Sequence, residues 1–121
     1  MHSSNRVCRR RILSKLFYQA RKRAGGRGVL FELEKEDVLA LWEEQEGICL
    51  LSGVPFILEL PHSTPRENPW RPSIDRIDPV KGYVIGNVRL VCKIGNYAKN
   101  GFTDKDLLYF CENLVANLGV S

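Results

Sequence analysis

Residues 72–79 read Pro72-Ser73-Ile74-Asp75-Arg76-Ile77-Asp78-Pro79, and the chain runs on through Lys81-Gly82-Tyr83 and Asn87-Val88-Arg89-Leu90-Val91-Cys92 to Asn96 and Lys99. Ser73–Ile77 predicts one arm of a β-hairpin, Asp78–Gly86 the connection and Asn87–Val91 the return arm. A short helix is expected over about Cys92–Asn100. On it Cys92 and Asn96 stand i, i+4 and Asn96 and Lys99 i, i+3, so the three share a face. If that face packs on the hairpin, the Asp75 carboxylate at a strand end meets an amide and a lysine. Carboxylate and amide oxygens are hard donors suited to Mg²⁺ or another divalent ion. Such an ion, with its remaining positions filled by phosphate oxygens and water, stabilises a phosphoryl transition state. Taken singly, Asp75 reads equally well as a strand-end cap or an ion-pair partner, and Asn96 as a helix-surface residue.

Upstream, Ser3, Ser4 or Asn5 is expected to cap a helix running to about Ala24, with Ile12, Leu13, Leu16, Phe17 and Ala20 forming its apolar stripe. Gly25, Gly26 and Gly28 are expected to end it, and Val29–Leu33 reads as a short extended piece. A second helix over about Lys35–Glu46 turns Val38, Leu39, Leu41 and Trp42 inward and stops at Gly47. Cys49–Leu51 and Phe56–Leu60 read as short strands around Ser52-Gly53-Val54-Pro55. Residues 61–72 hold four prolines and read as an irregular loop. Downstream, Thr103 and Asp106 resemble a capping box for a last helix, 103–118, expected to bury Leu107, Leu108, Cys111, Leu114, Val115 and Leu118. The order defines a small α+β domain over residues 1–121.

The 121 residues suffice for a modest core without disulfides, and no run of 18 apolar residues marks a membrane span. The net charge of +4 conceals an asymmetry. Residues 1–31 carry nine Lys/Arg and no Asp or Glu, whereas the other 90 carry nine basic and fourteen acidic side chains. A basic segment at 1–28 on a mildly acidic body points to a polyanionic partner, with Arg9, Arg10, Arg11, Lys15, Arg21, Lys22, Arg23 and Arg27 as the contacts. The plain alternative is a solvated helix face that aids solubility. The apolar stripe is better suited to packing on the domain than to a membrane, and no lipidation signal accompanies it. Cys8, Cys49, Cys92 and Cys111 form no CxxC pair and are expected to be reduced, mostly buried thiols.

The ordered set of motifs resembles the HNH, or ββα-metal, nuclease superfamily, in particular its small phage and prophage type. The resemblance spans most of the chain: Ala20-Arg21-Lys22-Arg23-Ala24, Phe31-Glu32-Leu33 and the stretch from Trp42 through Cys49 and Gly53 to Pro55 upstream; Ser73–Asp78, Lys81-Gly82-Tyr83, Gly86-Asn87-Val88 and Asn96-Tyr97-Ala98-Lys99 in the core at 73–100. It implies a hairpin-plus-helix core flanked by helices. It further implies a metal-dependent endonuclease hydrolysing DNA phosphodiester bonds in a bacterial or phage-infected cytoplasm. Asp75 and Asn96 would be the metal ligands for Mg²⁺ or Mn²⁺, Asn87 would tie the hairpin connection together, and Lys99 would face the phosphate.

Two departures bear on mechanism. The residue after the aspartate is usually a histidine base; here it is Arg76, and a guanidinium carries only donors and cannot act as a base near neutrality. Arg76 can instead grip the scissile phosphate. The proton would pass to Asp78, to His62, to metal-bound hydroxide or to a substrate oxygen, and loss of general-base assistance costs roughly 10²–10⁴-fold. Many relatives also carry two CxxC pairs on zinc. At that spacing Ser52 follows Cys49 and Gly95 follows Cys92, and two thiolates do not make a four-coordinate site, so structural zinc is not expected. Without a reader module, weak sequence preference is expected. One such site nicks one strand, so a double-strand break needs a homodimer, a larger phage or host complex, or two visits. The alternative to an enzyme is a nucleic-acid-binding module on the same fold, with Arg76 binding phosphate in place of catalysis.

Overall fold

A computed structural model describes the backbone of residues 2–119 and the side chains of residues 8–119. Four helices surround a two-stranded antiparallel hairpin, a mixed α+β arrangement. Helix α1 spans His2–Arg27, α2 Lys35–Gln45, strand β1 Pro72–Arg76, β2 Val88–Cys92, α3 Lys93–Lys99 and α4 Asp104–Leu118.

The apolar stripe of α1 builds one wall of the core: Ile12, Leu13, Phe17, Ala20 and Ala24 are buried. The helix outruns its expected end, continuing through Gly25 and Gly26 to Arg27 and stopping at Gly28 in the left-handed region. It also begins before the residues expected to cap it, so Ser3–Asn5 lie inside the helix. In α2, Val38 is fully buried and Leu39, Leu41 and Trp42 pack against the core. That helix ends in a left-handed turn at Glu46 and Gly47. A Cβ on Gly47 would stand 2.9 Å from the Trp42 ring, so glycine there lets the chain turn directly over the indole.

The hairpin is the centre of the core. Its register sets Ile74 opposite Leu90, Ser73 opposite Val91 and Asp75 opposite Arg89. All five residues of β2 are buried, so its free edge needs partners. Gln45 supplies them: its side-chain amide donates to the Leu90 carbonyl at 2.9 Å and accepts from the Leu90 N–H at 2.9 Å, as a neighbouring strand would. The segment before α2 attaches to the hairpin connection through Phe31 and Tyr83, which form a bridge. The Gly82 position lies against this crossing, where a Cβ would meet the Leu30 carbonyl at 2.6 Å.

Three expectations are corrected. Cys49–Leu51 and Phe56–Leu60 are not strands: only Ile48 and Pro55 form a bridge, because the chain folds into a tight turn in which Gly53 N–H donates to the Cys49 carbonyl at 2.9 Å. The proline-rich loop is not wholly irregular, since Pro65–Glu67 forms a 3₁₀ turn and Pro72 opens β1. Most consequentially, α4 buries nothing. Its Thr103–Asp106 capping box is present, but among the described residues α4 packs against α3 and reaches β2 through the Asp104–Arg89 pair, leaving Leu108, Phe110, Cys111, Leu114, Val115 and Leu118 exposed. The hairpin is instead packed by α1 on β1 and by α2 on β2. No described helix is long and apolar enough to cross a membrane.

This difference is measurable. Leu13→Ala should cost about 2–5 kcal/mol in urea denaturation, as a buried leucine does. Leu108→Ala should stay within about 0.5 kcal/mol. Equal losses for the two would mean that α4 packs on the core.

Candidate functional site

Asp75 is the last residue but one of β1, and three elements converge on it. From the facing strand, Arg89 Nε donates to Asp75 Oδ2 at 2.9 Å. From the last turn of α3, Lys99 Nζ donates to Oδ2 at 3.0 Å and to Oδ1 at 3.2 Å. From the start of α4, Asp104 Oδ1 accepts from Arg89 Nη2 at 2.6 Å and lies 3.5 Å from Lys99 Nζ. Asp75, Arg89 and Lys99 are 3%, 7% and 1% exposed, so the network is almost wholly buried and most open at Asp104. Two acids and two bases balance, as buried charges require. Burial works to lower the Arg89 guanidinium, but the hydrogen bonds it donates to Asp104 and Asp75, with the negative charge of both, outweigh burial and raise it above its ordinary value. The Arg89 hydrogen bond, against the opposing effect of burial, holds the Asp104 carboxyl below the usual carboxylate range.

The remaining site residues have separate tasks. Asn87 is buried and closes the hairpin connection: its Oδ1 accepts from Asp78 N–H at 2.9 Å, and its Nδ2 donates to the carbonyls of Asp78 at 3.1 Å and Gly82 at 2.9 Å. Asp78 Oδ1 accepts from Val80 N–H at 3.0 Å, shaping the turn. Arg76 lies over the Tyr83 ring, 5.1 Å from its centroid, and one guanidinium nitrogen donates to the Lys81 carbonyl at 3.1 Å. Asn96 donates to Ser73 Oγ, not to any atom of Asp75. Lys99 points inward to Asp75 rather than outward to a substrate.

Beside this network lies a groove of about 670 Å³ between α1, the proline-rich loop and the hairpin with α3. Seven cations border it: Lys15, Arg23 and Arg27 from α1, Arg66 and Arg71 from the loop, Arg76 from β1 and Lys93 from α3. Asp75 is the one acid in its lining and is already paired; Ser73 and Asn96 share the same wall. Neither Asp78 nor His62 borders the groove. The basic face of α1 is thus divided. Arg9 lies over Trp42 and 3.8 Å from Glu43, and Arg21 lies over Phe17 and Tyr18, while Arg10, Arg11 and Lys22 are exposed away from the groove lining. Arg66, Arg71 and Lys93 were not singled out in the sequence. The loop's position directly before β1 was the available signal for the first two.

Cys49, Ser52, Cys92 and Gly95 do gather in one place. Cys92 N–H donates to Cys49 Sγ at 3.3 Å, and a Cβ on Gly95 would stand 3.5 Å from Cys92 Sγ. Burial pushes the Cys49 thiol up, but hydrogen bonds from the Ser52 hydroxyl and from the N–H groups of Cys92, Ser52 and Leu51 bring it below its ordinary value. Burial and the neighbouring Cys49 charge push Cys92 up.

Oxygen donors of the kind a divalent ion takes are present at Asp75, but the arrangement does not fit such an ion as it stands. Both carboxylate oxygens accept from the Lys99 ammonium, Asn96 is committed to Ser73, and a divalent charge would sit beside an ammonium and a guanidinium. Among the described residues no three His, Cys, Asp or Glu side chains gather to hold a metal. Comparison of the chain with family models, curated proteins and solved structures gives no match.

Two outcomes follow from the network and the turn. Asn87→Ala leaves buried polar groups of the connection unpaired and should cost about 2–4 kcal/mol in urea denaturation, with β1–β2 amide protection lost first. The depressed Asp104 pKa stabilises the fold fully above the unfolded value of about 3.9, and that stabilisation is lost as pH falls through the lower folded value. Asp104→Asn should therefore flatten the acid limb of the stability–pH profile. A profile parallel to that of the wild type below about pH 4 would contradict the pairing.

Proposed function

We propose that this chain acts on the phosphodiester backbone of DNA, as an endonuclease of the ββα type that nicks with weak sequence preference. The observation that carries this reading is the groove, where seven cations face one paired acid next to the hairpin and α3. Clustered like charge in a concave wall focuses the field on a polyanion and draws it in, and it grips phosphates without choosing bases. Cations from α1, the loop and the hairpin lie on different sides of the groove, which suits a backbone passing through it. Arg76, always charged and held by Tyr83 and Lys81, keeps N–H groups for a phosphate and would stabilise the charge that builds up during hydrolysis. A divalent ion supplies a Lewis acid and an activated water when bound. In the ion-paired arrangement the protein's own contribution is binding, orientation and charge stabilisation.

A second reading, binding without cleavage, is favoured by one observation: Asp75 is already engaged by Lys99 and Arg89. Plasmid nicking in Mg²⁺ and in Mn²⁺ separates the two. The hydrolytic reading predicts that wild type is at least about 10²-fold faster than Asp75→Asn and Asn96→Ala, with folding of each checked by circular dichroism. Equal rates in both metals would leave the binding module. In either case Arg23→Ala and Arg71→Ala should weaken duplex binding and each reduce the salt-dependence slope by about one. An unchanged slope for both would move the interface away from this groove.

A further inference from the structure

Lys99 is the most deeply enclosed charge in the described molecule, at 1% exposure. Its ammonium sits among four oxygens: Asp75 Oδ1 at 3.2 Å, Asp75 Oδ2 at 3.0 Å, the Arg76 carbonyl at 2.7 Å and the Ile77 carbonyl at 3.2 Å. Two carboxylate oxygens and two peptide carbonyls converging on one point are a hard-cation donor set. Here that set encloses a cation on a tether. The cage arises where β1 ends: past Arg76 the chain turns toward Asp78, and Ile77 keeps its N–H on the Asn87 carbonyl at 2.8 Å, leaving the carbonyls of Arg76 and Ile77 to accept from Lys99. The α3 backbone brings Lys99 to this point one turn after Asn96, and Arg89 closes the other side of Oδ2. With Asp104 included, the four side chains carry no net charge. A divalent ion added beside the ammonium would leave two positive charges in excess in a water-poor setting, where repulsion between like charges is strong.

We infer that the Lys99 ammonium and a divalent cation compete for one oxygen cage, so that Lys99 is a tethered occupant that keeps metal off Asp75 until it is withdrawn. This rests on the reading of Asp75 as the carboxylate beside the scissile phosphate and names how that site is regulated. Lys99 is accordingly a positioning and gating residue, not a catalytic one.

The test is Mn²⁺ binding, read by the loss of the free-ion electron paramagnetic resonance signal and independent of cleavage. Lys99→Met keeps the length of the side chain and removes its charge. It should bind one Mn²⁺ at least about tenfold more tightly than wild type, and adding Asp75→Asn should abolish the gain. A folded Lys99→Met protein with wild-type affinity, or a gain that survives Asp75→Asn, overturns the inference. Should Lys99→Met fail to fold, wild-type protein labelled with ¹⁵N-lysine decides it. The enclosed ammonium should give a slowly exchanging resonance that disappears in step with any Mg²⁺-dependent shift around Asp75. Saturation of those shifts with the Lys99 resonance intact refutes the competition. Plasmid nicking separates this from the functional reading. Cleavage by wild type with no gain in metal affinity on Lys99→Met sinks the gate and keeps the nuclease. A gain with no cleavage by any form keeps the gate and sinks the nuclease.

Discussion

The rest of the site depends on the Asp75 carboxylate and on the two cations that reach it from different elements. Arg89 joins it across the hairpin, Lys99 joins it from α3, and Asp104 bridges the same pair of cations from the first turn of α4. One buried anion therefore fixes the strand register, the seating of α3 and the anchoring of α4 at once. Opposite charges directly across an antiparallel pair stabilise it modestly when exposed. Here the pair is enclosed, so the larger effect is the cost of removing one member, about 3–5 kcal/mol for a buried charge left alone. The same constraint explains why Asn87 carries so many hydrogen bonds. A connection that must return the chain in register with Asp75 opposite Arg89 cannot tolerate a loose turn.

The cationic groove is a separate device built against this network. Its charges come from α1, from the proline-rich loop and from the hairpin with α3, and Lys93 ties two of these together by donating to the Arg66 carbonyl at 2.6 Å. A polyanion in the groove would be held by exposed and half-buried charges whose grip weakens with salt. The Asp75 network is instead largely buried and much less screened. Binding and the chemistry proposed at Asp75 thus respond to different conditions, and Asp75, which belongs to the network and also borders the groove, is where the two regions meet.

Much of the fold was legible in the sequence because its periodicities are clean. The apolar stripe of α1, the hairpin arms, the short helix after Cys92 and the Thr103–Asp106 cap all have local causes, and local causes leave local signals. What was not legible is long-range. The stripe on α4 shows that the helix is amphipathic but says nothing about whether a surface remains to cover it. The side chain of Gln45 acts as a substitute strand for Leu90, 45 residues away, and no spacing rule announces that. At the site, the sequence brought Asp75, Asn96 and Lys99 to one neighbourhood but did not show their partners. Arg89 carried no motif weight, although its register opposite Asp75 follows from the hairpin itself. Arg66 and Arg71 lay in a loop whose prolines hide its direction.

The central claim is that Asp75 and Lys99 act as one buried unit, and a double-mutant cycle measures that directly. Urea denaturation of wild type, Asp75→Asn, Lys99→Met and the double variant yields the coupling energy between the two side chains. A buried unit predicts a coupling of about 2 kcal/mol or more, with the double variant more stable than the sum of the single losses requires. Additive losses, with a coupling within about 0.5 kcal/mol of zero, would show that the two side chains do not depend on each other and would contradict the account.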